Sequence, residues 1–331
     1  MNLPPPPAIV HHLPGKLGMP PSARDRAITG LEAELAAERK LPLQQGAESL
    51  VYLHPEAPKR GTLIMFHGFT AGTWQFEPLA KLAYAAGYDV YIPRLPGHGL
   101  KDAKGAEDPS QLLTGLNWRQ YQTFGDHTYA LAKDLGGSVS TLGLSVGGNV
   151  ALDVAERHPE VSHVVAYAPF LWPREQRVQK LFFATHAADI ATHGKAAPFL
   201  NGLTYSWGEE CRLDTAAGKR PGHSMFYGGN AYGATELGWQ VIANAPKMQA
   251  TLQLFATGVD DAADEDALKA LYKGAGGARN GWYYFPVEEG IPHPMVHPME
   301  DKGKGQCPKL YELTMRFLET DELQNRGELP R

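Results

Sequence analysis

The sequence predicts an α/β domain in which a mostly parallel sheet is covered by helices on both faces. Three observations carry that expectation. From residue 46 onward short apolar runs alternate with amphipathic stretches of helical period, the rhythm of βαβ units. The rhythm breaks near residue 169 and returns near residue 249, so one core is interrupted once. A chain of 331 residues with 43% hydrophobic content is also long enough to build one large core without disulfides or a metal.

The elements follow in order. Residues 1–45 form a leader to the domain. Its first twenty-odd residues are proline-rich and read as an extended arm, because proline fixes φ and removes a backbone donor. Ser22 to Lys40 then reads as a helix, with serine at the N-cap and Ile28, Leu31 and Leu35 on one face. The core occupies residues 46–169 and 249–331. Its first part reads as strands at Ser49 to His54 and Thr62 to Phe66, a helix at Phe76 to Ala86, and a strand at Asp89 to Ile92. A helix at Trp118 to Leu135, a strand at Val139 to Leu144, a helix at Gly148 to Arg157 and a strand at Val161 to Tyr167 complete it. The second part reads as a strand at Thr251 to Ala256, a helix at Asp264 to Lys273, a strand at Trp282 to Val287 and a terminal helix at Pro308 to Glu319. Between them, residues 170–248 show no βαβ rhythm and carry ten aromatic side chains from Trp172 to Trp239. They read as an inserted segment without strands of its own.

Composition narrows the function classes. With 31 basic against 36 acidic residues the formal net charge is −5, which leaves no electrostatic footprint for nucleic acid. Cys211 and Cys307 lie far apart and outside any C-x-x-C spacing, so neither a zinc site nor a redox pair is indicated. No uncharged run reaches the roughly 20 residues that span a bilayer, and the N-terminus lacks the apolar core of a signal peptide. A cytoplasmic location is the resulting expectation.

Chemistry is concentrated in a few segments. Gly143-Leu144-Ser145-Val146-Gly147 fits G-x-S-x-G, in which a serine sits on a strained strand-to-helix turn and the glycines leave room for the tight backbone. The flanks suit that turn, since Val139 to Leu142 reads as a strand and Gly148 to Arg157 as a helix. Upstream, His67-Gly68-Phe69-Thr70 directly follows a strand. A serine nucleophile needs two backbone N–H donors for its developing oxyanion, and Phe69 and Val146 are the candidates.

The segments FHGFTAG, YIPRLPGHG and GLSVGG, in that order and separated by helices, resemble the α/β-hydrolases, particularly bacterial carboxylesterases and monoacylglycerol lipases. The resemblance implies an α/β-hydrolase fold with an eight-stranded sheet, the nucleophile after the fifth strand, and a helical cap at residues 170–248. It also implies the chain order serine, acid, histidine. Family members carry G-x-x-D after the strand that follows the cap, which lands on Asp261 when counted from Gly258; Asp260 is the nearest rival. The loop after the last strand offers His293 and His297, and His293 is favoured because it lies closer to the strand's end. Asp264 suits a helix N-cap. The loop Arg94-Leu95-Pro96-Gly97-His98-Gly99 resembles a segment that is mostly structural in the family. His186, Asp189 and His193 share a helical face, but their spacing departs from H-E-x-x-H and a partly buried helix is the simpler reading.

The expected activity is therefore hydrolysis of a small-molecule ester with an apolar acyl or alcohol part, through Ser145, His293 and Asp261, with no metal or organic cofactor. Thioester, amide or carbon–carbon bond hydrolysis on the same fold is the nearest alternative. A small-molecule-binding protein without turnover is the alternative from another class.

Overall fold

The computed structural model describes residues 20–113, 118–277 and 279–330. The proline-rich arm up to residue 19 lies outside the described residues. Helix α1 (Ala23–Glu38) starts as expected at Ser22, whose hydroxyl accepts from Asp25 N–H while Asp25 accepts from Ser22 N–H, a reciprocal cap. Its apolar face buries Ile28, Leu31 and Leu35. Arg24 anchors it to the domain by donating to Asp89 at 2.6 Å and to the carbonyl of His54 at 2.7 Å.

The main sheet contains β1 (Leu50–Tyr52), β2 (Gly61–Phe66), β3 (Tyr88–Ile92), β4 (Val139–Leu144) and β5 (Val161–Tyr167) before the inserted segment. After that segment come β8 (Thr251–Thr257) and β9 (Asn280–Phe285). Their spatial order is β1-β3-β2-β4-β5-β8-β9, and only β1 runs antiparallel to its neighbour. The expected eight strands are thus seven among the described residues, and Ser145 follows the fourth of them rather than a fifth. The chain before Leu50 enters as α1 and then, broken by Pro42 and Gly46, makes only an isolated bridge from Leu43 to Leu100.

Alternation along each strand builds two apolar layers. Ile64, Phe66, Val164, Leu252 and Leu254 face α1, α3 (Trp118–Ala132) and α4 (Val146–Arg157). Leu63, Met65, Leu142, Val165 and Phe255 face α2 (Glu77–Ala86) and α9 (Cys307–Thr320) on the other side. The parallel strands deliver the loops after β2, β4, β8 and β9 to one edge of the sheet, where open α/β sheets place their ligands.

The inserted segment holds α5 (Gln176–Thr192), β6 (Thr204–Ser206), α6 (Glu209–Ala216), β7 (Met225–Tyr227) and α7 (Gly228–Asn244). Contrary to expectation it has strands of its own, since β6 and β7 pair as a separate antiparallel ribbon. Three-residue strands are too short to leave a period in the sequence. Packing also divides the segment. Ala234, Leu237 and Val241 of α7 belong to the main apolar layer, whereas Phe182, Leu200 and Tyr232 form a small cluster apart from it. After the segment, α8 (Glu265–Gly274) begins at Asp264, whose carboxylate caps Ala267 N–H as expected. No helix of the described residues is long and apolar enough to cross a membrane.

Candidate active site

Ser145 occupies the junction between β4 and α4 with φ 56° and ψ −121°, a conformation that side-chain-bearing residues rarely adopt. Two glycines make it possible. A Cβ at Gly143 would collide with the Gly147 carbonyl, and one at Gly147 would collide with the carbonyls of Phe66 and His67. Hydrogen bonds to the neighbouring strand hold the turn, with Ser145 N–H donating to Tyr167 at 2.9 Å and Phe170 N–H donating to Ser145 at 3.1 Å. The Val146 N–H, first of α4, has no intrahelical acceptor and lies at the positive end of the helix dipole.

The loop after β2 fixes its own donor by occupying the donors on either side. Gly68 N–H donates to Gln75 Oε1 at 2.7 Å, and Thr70 N–H donates to His98 Nε2 at 3.0 Å. Phe69 N–H lies between them without a partner among the described residues. His98 must be the neutral Nδ1–H tautomer to accept at Nε2, and its Nδ1 is 3.0 Å from the Pro96 carbonyl. Burial, with His67 and His223 nearby, holds its pKa well below the ordinary histidine value. His67, pushed down to about 4 by burial, accepts from Leu95 N–H in the same way. The loop resembling a structural segment of the family is therefore stitched to the candidate oxyanion loop by two neutral histidines.

His293 lies on the loop after β9, and its Nδ1 is 2.9 Å from Asp260 Oδ2. The other oxygen of Asp260 accepts from Ala262 N–H at 2.9 Å and Ala263 N–H at 2.7 Å. The partner of His293 is thus Asp260, the rival, and not the expected Asp261. Asp261 is exposed, and the turn after β8 closes at Asp260, whose N–H bonds to the Thr257 carbonyl. The family spacing counted from Gly258 overshoots by one residue. Burial opposes the imidazolium of His293, yet the carboxylate of Asp260, with Asp261 and Glu300 farther off, raises its pKa above the ordinary value. Asp260 is desolvated too, but His293 and the two backbone donors keep its carboxyl below the ordinary range.

His297 does not join this pair. Its Nδ1 accepts from Met299 N–H at 3.1 Å, capping a short turn, and its ring stands edge-on to Trp74 at 4.9 Å. Burial lowers its pKa to about 4, so it remains neutral. The histidines and aspartate of α5 also serve the fold: His186 approaches Glu236 at 3.2 Å, Asp189 accepts from Ala196 and Ala197 N–H, and His193 ends the helix.

Several residues around the site had no signal in the sequence. Gln75 Nε2 donates to Glu300 Oε2 at 2.7 Å, joining the loop after β2 to the loop that carries His293. Burial raises the Glu300 carboxyl to about 7. Arg174 N–H donates to the Ala262 carbonyl at 2.8 Å and its guanidinium to the Asp260 carbonyl, so the start of the inserted segment braces the acid's turn. Trp207, singled out only as one of many aromatics, donates from Nε1 to Thr70 Oγ1 at 2.7 Å. Beside it Phe226 stacks on Tyr205 at 5.3 Å and meets Phe69 edge-on at 5.2 Å, which puts an aromatic wall against the loop after β2.

Comparisons with known proteins bear on the family and the fold of the chain. The model of the family described as Hydrolase_4, serine aminopeptidase S33, matches residues 57–286, more than half of the chain. The thermostable monoacylglycerol lipase of Bacillus sp. (strain H-257) is 32% identical over 124 residues, a stretch covering 38% of this chain and 45% of that protein. The chain thus spans less than half the length of this relative. Among solved structures, monoacylglycerol lipase from Paleococcus ferrophilus superposes with a TM-score of 0.60 at 18% identity, covering 82% of this chain and 97% of the other. A soluble variant of monoglyceride lipase from Saccharomyces cerevisiae superposes with a TM-score of 0.61 at 14% identity, covering 83% and 91%. At such identities these two likenesses establish the fold, and with the family match over the central two thirds of the sequence the chain belongs to the serine aminopeptidase S33 family of α/β-hydrolases.

Proposed function

We propose that this protein is a serine hydrolase that cleaves carboxylic esters with an apolar acyl or alcohol part. One observation carries the reading: a serine forced into a left-handed backbone conformation at a strand-to-helix turn, on the same sheet edge as a histidine bonded to a buried aspartate. In the proposed cycle Ser145 Oγ attacks the ester carbonyl and its proton passes to His293 Nε2. Asp260 holds the imidazole through Nδ1 and stabilises the imidazolium. The N–H groups of Phe69 and Val146 receive the oxyanion. Collapse expels the alcohol, which takes the proton from His293 and leaves an acyl-enzyme. Water, deprotonated by His293, then attacks the acyl carbon, and the free acid departs as Ser145 recovers its proton.

The preference for an apolar substrate rests on the aromatic wall of Phe69, Tyr205, Trp207 and Phe226 beside the proposed oxyanion hole. The relative named as a thermostable monoacylglycerol lipase supports the ester class. A panel of p-nitrophenyl esters from acetate to longer acyl chains, run beside matched thioesters and anilides, tests the reading. Turnover of the esters with labelling of Ser145 by a fluorophosphonate is expected. Faster turnover of thioesters or anilides would move the chain to another reaction of its fold, and no turnover at all would leave a binding protein.

A further inference from the structure

We propose that Trp207 is a positioning residue: from the inserted segment, its indole N–H holds Thr70 and through it fixes the Phe69 N–H as an oxyanion donor. The inference rests on the serine-hydrolase reading above and extends it to a residue outside the sheet. Thr70 has φ 63°, in the left-handed region that β-branched residues avoid, and it directly follows the donor. Its backbone therefore needs outside restraint, and all of its polar atoms are engaged. Its N–H donates to His98 at 3.0 Å, and its carbonyl accepts from His223 N–H at 2.6 Å. Its hydroxyl donates to the Phe69 carbonyl at 2.6 Å while accepting from Trp207 at 2.7 Å.

The chain of donors matters for chemistry. Trp207 N–H polarises the Thr70 hydroxyl, which in turn holds the Phe69 carbonyl, and hydrogen bonds in series strengthen one another. The peptide that carries the Phe69 N–H is held at its own carbonyl, Gly68 O, 2.8 Å from His67 Nδ1, and the peptides before and after it are held by Gln75 and by the Thr70 hydroxyl, so the clamp at Thr70 fixes the C-terminal side of the donor. Electrostatic stabilisation of an oxyanion depends on such prior orientation, so a loss here falls on the transition state more than on bound substrate.

The four restraints differ in mobility. His98 is wholly buried, and His223 belongs to Pro221–Ser224, a buried strap tied to Gln44 by paired bonds of 2.7 and 2.9 Å. Trp207 is 49% exposed and is followed by α6, which buries no residue. It is thus the restraint that movement of the β6–β7 ribbon releases first, and the ribbon reaches the loop after β2 through this bond and the ring contact of Phe226 with Phe69.

Trp207→Phe keeps the ring contact with Phe226 and removes the N–H. It is expected to lower kcat on p-nitrophenyl butyrate about three- to tenfold, the effect of one hydrogen bond, while KM changes less than twofold. Inhibition by a trifluoromethyl ketone, whose adduct on Ser145 carries the oxyanion, should weaken by the same factor. Thr70→Val, which keeps the branched shape, should lose at least as much, and Thr70→Ser, which keeps the hydroxyl, should lose less. Combining Trp207→Phe with Thr70→Val should add nothing to Thr70→Val alone. An unchanged kcat, a loss confined to KM, or independent losses in the double variant would overturn the proposal. Fluorophosphonate labelling separates the two levels: wild-type protein that is not labelled at Ser145 sinks the hydrolase reading with it, whereas labelled wild type with an unchanged Trp207→Phe sinks the clamp alone.

Discussion

Strands β2 and β4 bury every residue, whereas α6 in the inserted segment buries none, and Phe183 and Ile190 of α5 leave about two thirds of their surface in water. The two regions meet where α7 packs into the main apolar layer and along a seam of loops. On the sheet side the seam holds Ser145, Asp260 and His293 at the ends of strands locked between two apolar layers. On the inserted side it holds Arg174, Trp207, His223 and Phe226, which reach the sheet-side loops through hydrogen bonds and ring contacts. Rigid packing suits groups whose relative positions must hold within a fraction of an ångström, and a loosely buried segment suits contact with substrates of variable shape. Substitutions in the two regions should therefore fail in different ways.

The largest effect is expected at Ser145, the proposed nucleophile. Ser145→Ala should lower ester turnover by about 10⁴- to 10⁶-fold while the circular dichroism spectrum and melting temperature stay close to wild type. Activity within tenfold of wild type would detach the sheet edge from the chemistry. Asp260→Asn should lower kcat by about 10⁴-fold, because the imidazole loses both its orientation and its counter-charge, while Asp261→Asn should cost less than about threefold. The same kinetic comparison applies to His293→Ala, which should be as damaging as the serine variant, and His297→Ala, which should keep much of the activity. Reversal in either pair would reassign the site.

Stability should divide along the same seam. Leu254, fully buried in β8, should cost about 2–5 kcal/mol when replaced by alanine, and Phe183→Ala should stay within about 0.5 kcal/mol. Urea titration of both variants checks this, and equal losses would mean that α5 is as much a part of the core as the sheet. On the substrate side, each methylene buried against the aromatic wall is worth at most about 0.8 kcal/mol, so kcat/KM should rise by tens of fold from acetate to hexanoate esters. Phe226→Ala should flatten that rise. A flat dependence in wild type would leave these aromatics as packing alone.

The smallest expected effect is on pH. In the proposed cycle His293 must be neutral to accept the Ser145 proton, and its pKa in the folded protein lies above the ordinary value, so activity should be lost as pH falls through that raised value. The acid limb of kcat/KM should accordingly centre above about 6.5, the unperturbed histidine value. Glu300 is among the carboxylates that raise the histidine, and Glu300→Gln should move the limb toward lower pH. A limb that stays in place, measured over pH 5 to 8, would show that Glu300 acts only as the partner of Gln75.

Much of this was legible in the residues because its causes are local. The turn at Ser145 is dictated by two glycines within two residues of it, the start of α1 by Ser22 and Asp25, and the strands β4, β5 and β8 by runs of apolar residues bounded by breakers. Steric exclusion and backbone capping act over three or four residues, so sequence order carries them. The acid was not decided at that range. Asp260 and Asp261 are adjacent and chemically identical, and only the closure of the turn on Thr257, Ala262 and Ala263 selects which carboxylate meets His293, 33 positions away. Thr70 is the extreme case. Its conformation depends on His98, 28 residues downstream, and on Trp207, 137 residues downstream, which become neighbours only when the strand order has brought the inserted segment back over the loop after β2. What the sequence alone determined is the elements of the main sheet and the strained turn at Ser145, whose causes lie within one turn of chain. Which aspartate pairs with the histidine and what orients the oxyanion loop was left to tertiary structure, because those bonds join groups that no local spacing relates.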